Sequence, residues 1–271
     1  MSHSWASGCD WSSECRKIND FMQQSSWEDA PRHIVNNFDV SRRQMMAYLS
    51  NKLERVLDSV SETQVTHLFL NDDPPPEVKF AVENGGQNTD QWVRQYYQYD
   101  LALQYLNACS ELSLETLKES HRIMLSGGEA TEHDSCDPGV FRTQGAFAGD
   151  YTFPDASKVT ELVDQVLHRF NSDEETNPIF KAADLAVGIV SVHPFTNGNG
   201  RMSRILFAHT LMKNGFPWPV VLSNGHKKAY KHYISALRKA QGRDDYSEFY
   251  ALAVASVVGV VSIFKRFEPV T

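Results

Sequence analysis

The stretch His193-Pro194-Phe195-Thr196-Asn197-Gly198-Asn199-Gly200-Arg201, with Arg204 three residues further on, decides how this chain folds and what its site contains. An apolar-rich segment, residues 182–192, runs up to the histidine, and a second one, residues 205–212, follows the last arginine. The pattern predicts a tight loop held between two helices.

The residues of this loop are suited to binding an anion. Gly198 and Gly200 allow backbone conformations that are closed to residues with a Cβ, so main-chain amides can approach a ligand. The loop feeds the N-terminus of a helix, where unbonded amides and the helix dipole favour negative charge. Arg201 and Arg204 share one face of that helix, and a guanidinium can donate two hydrogen bonds to a phosphate. We therefore expect a phosphate-binding site.

The histidine at the head of the loop is a candidate proton acceptor. Pro194 predicts an extended conformation for His193, so the preceding helix should end there. An imidazole near an anion can take a proton at neutral pH. The alternative is an ordinary glycine turn with a histidine cap, which the combination of elements disfavours.

The loop resembles the signature of the Fic (filamentation induced by cAMP) family, His-Pro-Phe-x-(Asp or Glu)-Gly-Asn-Gly-Arg-x-x-Arg, and the wider similarity covers about residues 78–250. The chain departs from the signature at Asn197, where the family usually has a carboxylate. The resemblance implies a mainly α fold, a Fic-like helical bundle with a small β-hairpin flap. It also implies transfer of AMP from ATP to a Ser, Thr or Tyr hydroxyl of a protein.

Carried over by position, the family roles fall on the loop. His193 resembles the general base, Arg204 the arginine that binds the terminal phosphate, and the phosphate cradle comprises Gly198, Asn199, Gly200 and Arg201. Asn197 stands where the family binds Mg²⁺, with Mn²⁺ as an alternative ion. An amide oxygen brings no charge, whereas Mg²⁺ prefers carboxylates. Three outcomes stay open: activity with weaker metal binding, which we favour, use of another nucleotide, or binding without transfer.

Residues 138–154 predict a β-hairpin, because two short extended pieces flank a Gly-rich tip. The segment resembles the family's flap, which holds the target by strand addition. The target-binding residues would be Phe141, Arg142, Thr143 and Gln144. An ordinary surface hairpin is the alternative.

Two further positions resemble family features. Glu83-Asn84 resembles the end of the inhibitory motif, (Ser or Thr)-x-x-x-Glu-(Gly or Asn), although Lys79 replaces the hydroxyl residue. Its glutamate would compete with phosphate for Arg204; the alternative is a solvated helix residue. Tyr233 resembles an aromatic that lies near the nucleotide base, with a core tyrosine as the alternative.

Composition limits the class of partner and the compartment. The formal net charge is −8 and the pI is about 5.7, which argues against general nucleic-acid binding. Four cysteines without zinc-like spacing indicate reduced thiols and a cytoplasmic setting. No signal peptide is evident. Residues 249–264 are short for a membrane span and predict a buried helix.

The chain divides at the proline-rich segment 71–76. Residues 1–73 predict an N-terminal helical extension that is partly loose, with helical spacing over 41–60. Residues 77–264 predict a Fic-like domain that includes the candidate inhibitory helix. Its helices are expected at about 77–83, 89–108, 113–126, 157–171, 178–192, 200–214, 225–241 and 246–264.

Several functions remain to be distinguished. The first is a protein adenylyltransferase with ATP as substrate, a hydroxyl-bearing protein as target, and automodification of the chain itself. The others are transfer of a different nucleotide or a phosphate group, removal of AMP, and a degenerate domain that only binds nucleotide. Homodimer formation is left open.

Overall fold

The computed structural model describes residues 18, 39, 42–43, 45–51, 91–126, 137–174, 176–222 and 227–264, with the backbone alone for 91–96 and 227–229. The predicted linker at 71–76, the predicted helix at 77–83 and Glu83 lie outside the described residues. The division of the chain into 1–73 and 77–264 therefore stays a prediction.

The described part is mainly helical, as the sequence predicts. A short helical segment covers 45–51. The later helices are α1 Gln91–Ala108, α2 Leu114–Leu125, α3 Val159–Ser172, α4 Pro178–Val192, α5 Asn199–Lys213, α6 Lys227–Arg243 and α7 Ser247–Phe264, with a 3₁₀ turn, Ala156–Lys158, before α3. Each lies within a few residues of its predicted bounds.

Helix α4 is the centre of the fold because its surface is mostly apolar, with Lys181, Asp184 and Ser191 confined to one half-buried face. Asn177 caps its N-terminus, accepting a hydrogen bond from the Ile179 N–H at 3.0 Å, and Pro178 occupies the first helical turn, where no amide partner is needed. Ten of its side chains are buried: Ile179, Phe180, Ala182, Ala183, Leu185, Ala186, Val187, Ile189, Val190 and Val192. A helix with so wide an apolar surface must be covered by several neighbouring elements.

The neighbouring helices supply that cover. Helix α5 packs along α4, α1 contacts both α2 and α5, α3 lies on α4, and α7 contacts α4 and α6. Two buried clusters result, one shared by α4 with α6 and α7 and the other shared by α4 with α1, α2 and α3. The loop between α4 and α5 is therefore held by two helices that both contribute to the two buried clusters.

The predicted hairpin is present but short. Strand β1, Phe147–Ala148, pairs antiparallel with β2, Tyr151–Thr152, with Phe147 opposite Thr152. Gly149 adopts a positive φ of 63° at the tip, as tight hairpin turns require. Phe147 is 79% exposed, so strand β1 presents an apolar side chain to solvent.

Within the described residues, one helix is long and apolar enough to cross a membrane, α7, with a mean hydropathy of 1.8. Length and composition are weak evidence, because core helices meet the same criteria. Seven of its side chains are buried in the protein, Phe249, Ala253, Val254, Val257, Val260, Val261 and Phe264. This packing supports the prediction of a buried core helix.

Candidate active site

His193 follows the last residue of α4 in a left-handed conformation, with φ 54° and ψ 57°. The predicted helix end is confirmed, but the predicted extended backbone is wrong, because a left-handed residue also ends a helix and avoids the conformation that the following proline disfavours. A non-glycine residue in this region carries backbone strain.

The His193 ring is held on two sides. It stacks on Phe153 at the end of the hairpin, with ring centroids 3.9 Å apart. Its Nδ1 lies 3.4 Å from the Val190 carbonyl oxygen, and since a carbonyl can only accept, Nδ1 carries the proton in this contact. In the neutral ring Nε2 is then the acceptor nitrogen, which suits a general base.

Asn199 closes the loop on itself. Its Oδ1 accepts a hydrogen bond from the Phe195 N–H at 2.9 Å, and its Nδ2 donates to the Phe195 carbonyl at 2.7 Å. The side chain is 2% exposed. The side-chain amide of Asn199 is therefore used to fix the loop, and a contribution of Asn199 to the predicted phosphate cradle would come from its main chain at the start of α5.

Gly198 and Arg201 direct donors toward one oxygen atom. Gly198 has a φ of 78°, which favours glycine, and a Cβ there would come within 3.1 Å of His121 Nε2. Its N–H donates to Asn197 Oδ1 at 2.6 Å, and Arg201 Nη2 donates to the same oxygen at 3.4 Å. The Asn197 amide oxygen thus occupies a position that a phosphate oxygen would fit.

Arg204 is 1% exposed and is bound by the helical segment 45–51. Its Nε donates to Ser50 Oγ at 2.8 Å and its Nη2 to the Ser50 carbonyl at 3.1 Å. The guanidinium also lies 6.0 Å from the centroid of the Tyr233 ring. The predicted phosphate-binding arginine and the predicted base-binding tyrosine are therefore neighbours, although both are buried.

A cavity of about 360 Å³ brings several predicted residues together. The site residues His193, Gly200, Arg204 and Tyr233 line it, and the hairpin residues Ala148, Gly149, Tyr151 and Phe153 form part of its wall. The remaining lining residues are Val190, Tyr230, Ile234, Leu237, Arg238 and Gln241. His193, the predicted general base, thus lines the same cavity as Gly200 and Arg204.

Arg142 ties the flap to the end of α4. Its side chain is 6% exposed and donates to four carbonyls: His193 at 2.7 Å, Gln144 at 2.8 Å, Pro154 at 2.6 Å and Val192 at 3.3 Å. The last carbonyls of a helix carry partial negative charge, which favours a cation there. The guanidinium therefore holds the start and the end of the flap against His193.

This arrangement corrects part of the predicted flap. The Arg142 side chain is not available to a target, and Phe141 is half-buried against Phe195, with ring centroids 5.2 Å apart. Thr143 and Gln144 are exposed, so their predicted contact with a target stays a prediction. Both residues precede strand β1 in the sequence.

The residues described do not fit a metal ion held by the protein alone. Among the described side chains, no group of three or more His, Cys, Asp or Glu residues could hold a metal ion. The Asn197 amide oxygen accepts from Gly198 and Arg201 instead. Mg²⁺ prefers carboxylates together with phosphate oxygens, so an ion at this site would depend on oxygens that the nucleotide brings.

Sequence reasoning missed Ser50 and His121. Ser50 begins a Ser-x-x-x-Glu spacing with Glu54, which supplies the hydroxyl residue that Lys79 does not, although Arg55 stands where the motif has Gly or Asn. That spacing was the available signal. His121, on α2, contacts the loop, and burial together with the nearby Arg201 charge lowers its pKa from 6.5 to about 4. Its place in an amphipathic helix gives no sign of this contact.

Comparison with known proteins agrees with the geometry. Residues 111–211 match the sequence model of the Fic/DOC family. The protein adenylyltransferase Fic of Drosophila virilis is 30% identical over 164 residues, which are 58% of this chain and 32% of that protein. The Drosophila grimshawi protein of the same name gives the same values. The chain spans about a third of the length of these relatives.

Solved structures share the fold. A Fic domain containing signaling protein from Bacteroides thetaiotaomicron superimposes with a TM-score of 0.71 at 13% identity, covering 93% of this chain and 95% of that one. Fic-1 from C. elegans, residues 134–508, gives 0.70 at 20% identity, covering 95% and 73%. The architecture is that of the Fic helical fold. Residues 111–211 of this chain thus carry the similarity to the Fic/DOC family, within a fold that these Fic structures share.

Proposed function

We propose that the chain is a protein adenylyltransferase that moves AMP from ATP to a hydroxyl side chain of a protein. The observation that carries the proposal is the cavity where His193, Gly200 and Arg204 meet beneath the hairpin. Relatives named protein adenylyltransferase Fic support it. The hydroxyl-bearing target, automodification and ATP as substrate belong to this proposal.

In the proposed reaction His193 acts on the attacking hydroxyl. Its Nε2 accepts the hydroxyl proton while the hydroxyl oxygen forms a bond to the α-phosphorus. The bond between that phosphorus and the bridging oxygen breaks, and pyrophosphate leaves with the electron pair. The Val190 carbonyl fixes the ring proton on Nδ1 and Phe153 fixes the ring plane. General base catalysis of this kind contributes about 10²–10⁴-fold to a rate.

The loop and the two arginines would bind the triphosphate. The Gly198 N–H and the Arg201 guanidinium already converge on one oxygen, and phosphate oxygens accept such bonds strongly. Arg204 would bind the terminal phosphate after release from Ser50. Mg²⁺ would come bound to ATP and offset phosphate charge, with Asn197 as a neutral ligand, so we propose retained activity at reduced metal affinity.

An intact-mass measurement tests the proposal. The purified chain is incubated separately with ATP, GTP, UTP and CTP in the presence of Mg²⁺. A mass gain equal to one AMP with ATP supports the proposal. A gain that matches another nucleoside monophosphate would show that the chain transfers that nucleotide instead of AMP. A phosphate-sized gain would identify a different transferred group.

A nucleotide-binding domain without transfer is the second candidate, and Asn197 is the observation that favours it. Calorimetry distinguishes the two. The test uses a high concentration of Mg²⁺ or Mn²⁺ and a variant that lacks the inhibitory glutamate. ATP binding without any mass gain under these conditions would identify a domain that only binds nucleotide.

The contact between Arg204 and Ser50 supports a regulatory proposal. In the family the inhibitory glutamate pairs with the second arginine, and it follows a hydroxyl residue by four positions. Ser50 lies on Arg204 and Glu54 follows it at that spacing, although Glu54 is outside the described residues. We therefore propose Glu54 as the inhibitory residue, in place of the predicted Glu83. Removal of AMP would also depend on this glutamate.

A further inference from the structure

His121 joins two segments that border the site. It lies on α2 and is fully buried. Its Nε2 is 2.9 Å from the Asn197 carbonyl oxygen in the loop, and its Nδ1 is 2.9 Å from the Gly139 amide at the entrance to the flap. The ring stacks flat on Phe195, with centroids 3.6 Å apart and an interplanar angle of 3°.

These partners fix the ring's tautomer. The Gly139 N–H can only donate, so Nδ1 is the acceptor. The Asn197 carbonyl can only accept, so Nε2 carries the proton. The neutral ring satisfies both partners at once, and a protonated ring would lose the Gly139 bond. His121 is thus a fixed donor to the loop.

Holding the Asn197 carbonyl also sets the direction of the next amide. A trans peptide is planar, so its carbonyl and N–H point to opposite sides. With the Asn197 carbonyl turned toward α2, the Gly198 N–H points away from α2, to the oxygen that Arg201 also contacts. A flipped peptide would present a carbonyl where the site needs a donor.

We propose that His121 is a positioning residue for nucleotide binding, because its Nε2–H keeps the Gly198 amide aimed at the phosphate site. The proposal rests on the proposed function for the identity of the ligand. The orientation of the amide itself does not depend on that function. His121 acts through the loop and is not assigned any contact with the nucleotide.

Three substitutions separate the two hydrogen bonds of His121. His121→Phe keeps the stack on Phe195 and removes both bonds. His121→Gln retains an amide donor near the Nε2 position, and His121→Asn retains an acceptor near the Nδ1 position only. We expect the ATP dissociation constant to rise about tenfold or more in the Phe and Asn variants, because a buried carbonyl loses its donor. The Gln variant should stay nearer to wild type.

His209 provides a matched control. It is also buried, its pKa is also lowered to about 4, and its Nδ1 contacts Asn107 Oδ1 at 2.8 Å, away from the loop. His209→Phe should lower thermal stability and leave ATP affinity within about twofold. Equal losses of affinity in the folded His121→Phe and His209→Phe variants would overturn the proposal, as would retention of affinity by Asn and its loss by Gln.

A second readout needs no nucleotide. Hydrogen exchange over residues 195–201, followed by mass spectrometry, should be faster in the Phe and Asn variants than in the wild type and Gln variant. Unchanged exchange in all variants would contradict the role of His121. If the wild-type chain bound no nucleotide, the proposed function would fail by itself, and these exchange rates would still decide whether His121 holds the loop.

Discussion

Arg204 donates two hydrogen bonds to Ser50, from Nε to Oγ at 2.8 Å and from Nη2 to the carbonyl at 3.1 Å. The two residues are 154 positions apart. A phosphate that binds through these two donors has to displace Ser50 from them. The N-terminal segment is therefore part of the site, and its contact is suited to control access to Arg204.

Replacing Glu54 by glycine should increase automodification with ATP. Under the regulatory proposal, the Glu54 carboxylate would compete with the terminal phosphate for the donors of Arg204. Labelled AMP incorporated into the purified chain measures the effect. Glu83→Gly is the matched control, and we expect it to behave like the wild type. Stimulation by Glu83→Gly alone would restore the interpretation made from the sequence.

Replacing Asn197 by aspartate should lower the Mg²⁺ concentration needed for half-maximal AMP transfer. An added carboxylate supplies the charge that Mg²⁺ prefers. The measurement is transfer rate against Mg²⁺ concentration for both proteins. Thr196→Asp adds the same charge at the exposed neighbouring position and should change the Mg²⁺ dependence little. No difference between Asn197→Asp and the wild type would contradict a role for position 197 in metal binding.

Replacing Arg142 by methionine should destabilise the fold by about 3 kcal/mol, because buried carbonyls lose their donors. It should also lower the transfer rate, since the guanidinium holds the His193 carbonyl. Thermal unfolding measures the first effect. Arg238→Met is the control for stability: its side chain is 58% exposed and its Nη2 lies 3.9 Å from Asp150 Oδ1, a contact that contributes little. Equal melting temperatures for the two variants would argue against a stabilising role of the buried Arg142 guanidinium.

Stability should fall as the pH decreases from about 6.5 toward 4. Burial lowers the pKa of His121 and of His209 to about 4 from an ordinary 6.5, so the unfolded chain binds more protons in this range. Between pH 7 and pH 5 each histidine should account for a loss of about 2 kcal/mol. Denaturant unfolding at both pH values, for the wild type and His209→Gln, isolates one of them. An identical pH dependence in both proteins would contradict the lowered pKa of His209.

The sequence predicted the helices and the loop well because their signals are local. The apolar run before His193 ends at Pro194, and the glycines of the loop lie where the backbone turns. These features do not depend on distant residues. The motif likewise identified His193, Gly200 and Arg204, which share the cavity.

The features that the sequence did not predict depend on tertiary contacts. Ser50 reaches Arg204 only when the chain is folded, and nothing near Arg142 indicates that four carbonyls will surround it. The residue type at position 199 does not show whether the side-chain amide faces a ligand or the Phe195 backbone. Such roles follow from geometry, which residue type alone does not specify.

The central claim is that the loop holds a nucleoside triphosphate while His193 removes the proton from the attacking hydroxyl. The most direct test compares the wild type with His193→Ala, using calorimetry with ATP and incorporation of α-labelled ATP on the same preparations. We predict that the variant binds ATP with near-normal affinity and loses transfer by about 10²-fold or more. Transfer at the wild-type rate by His193→Ala would contradict the account.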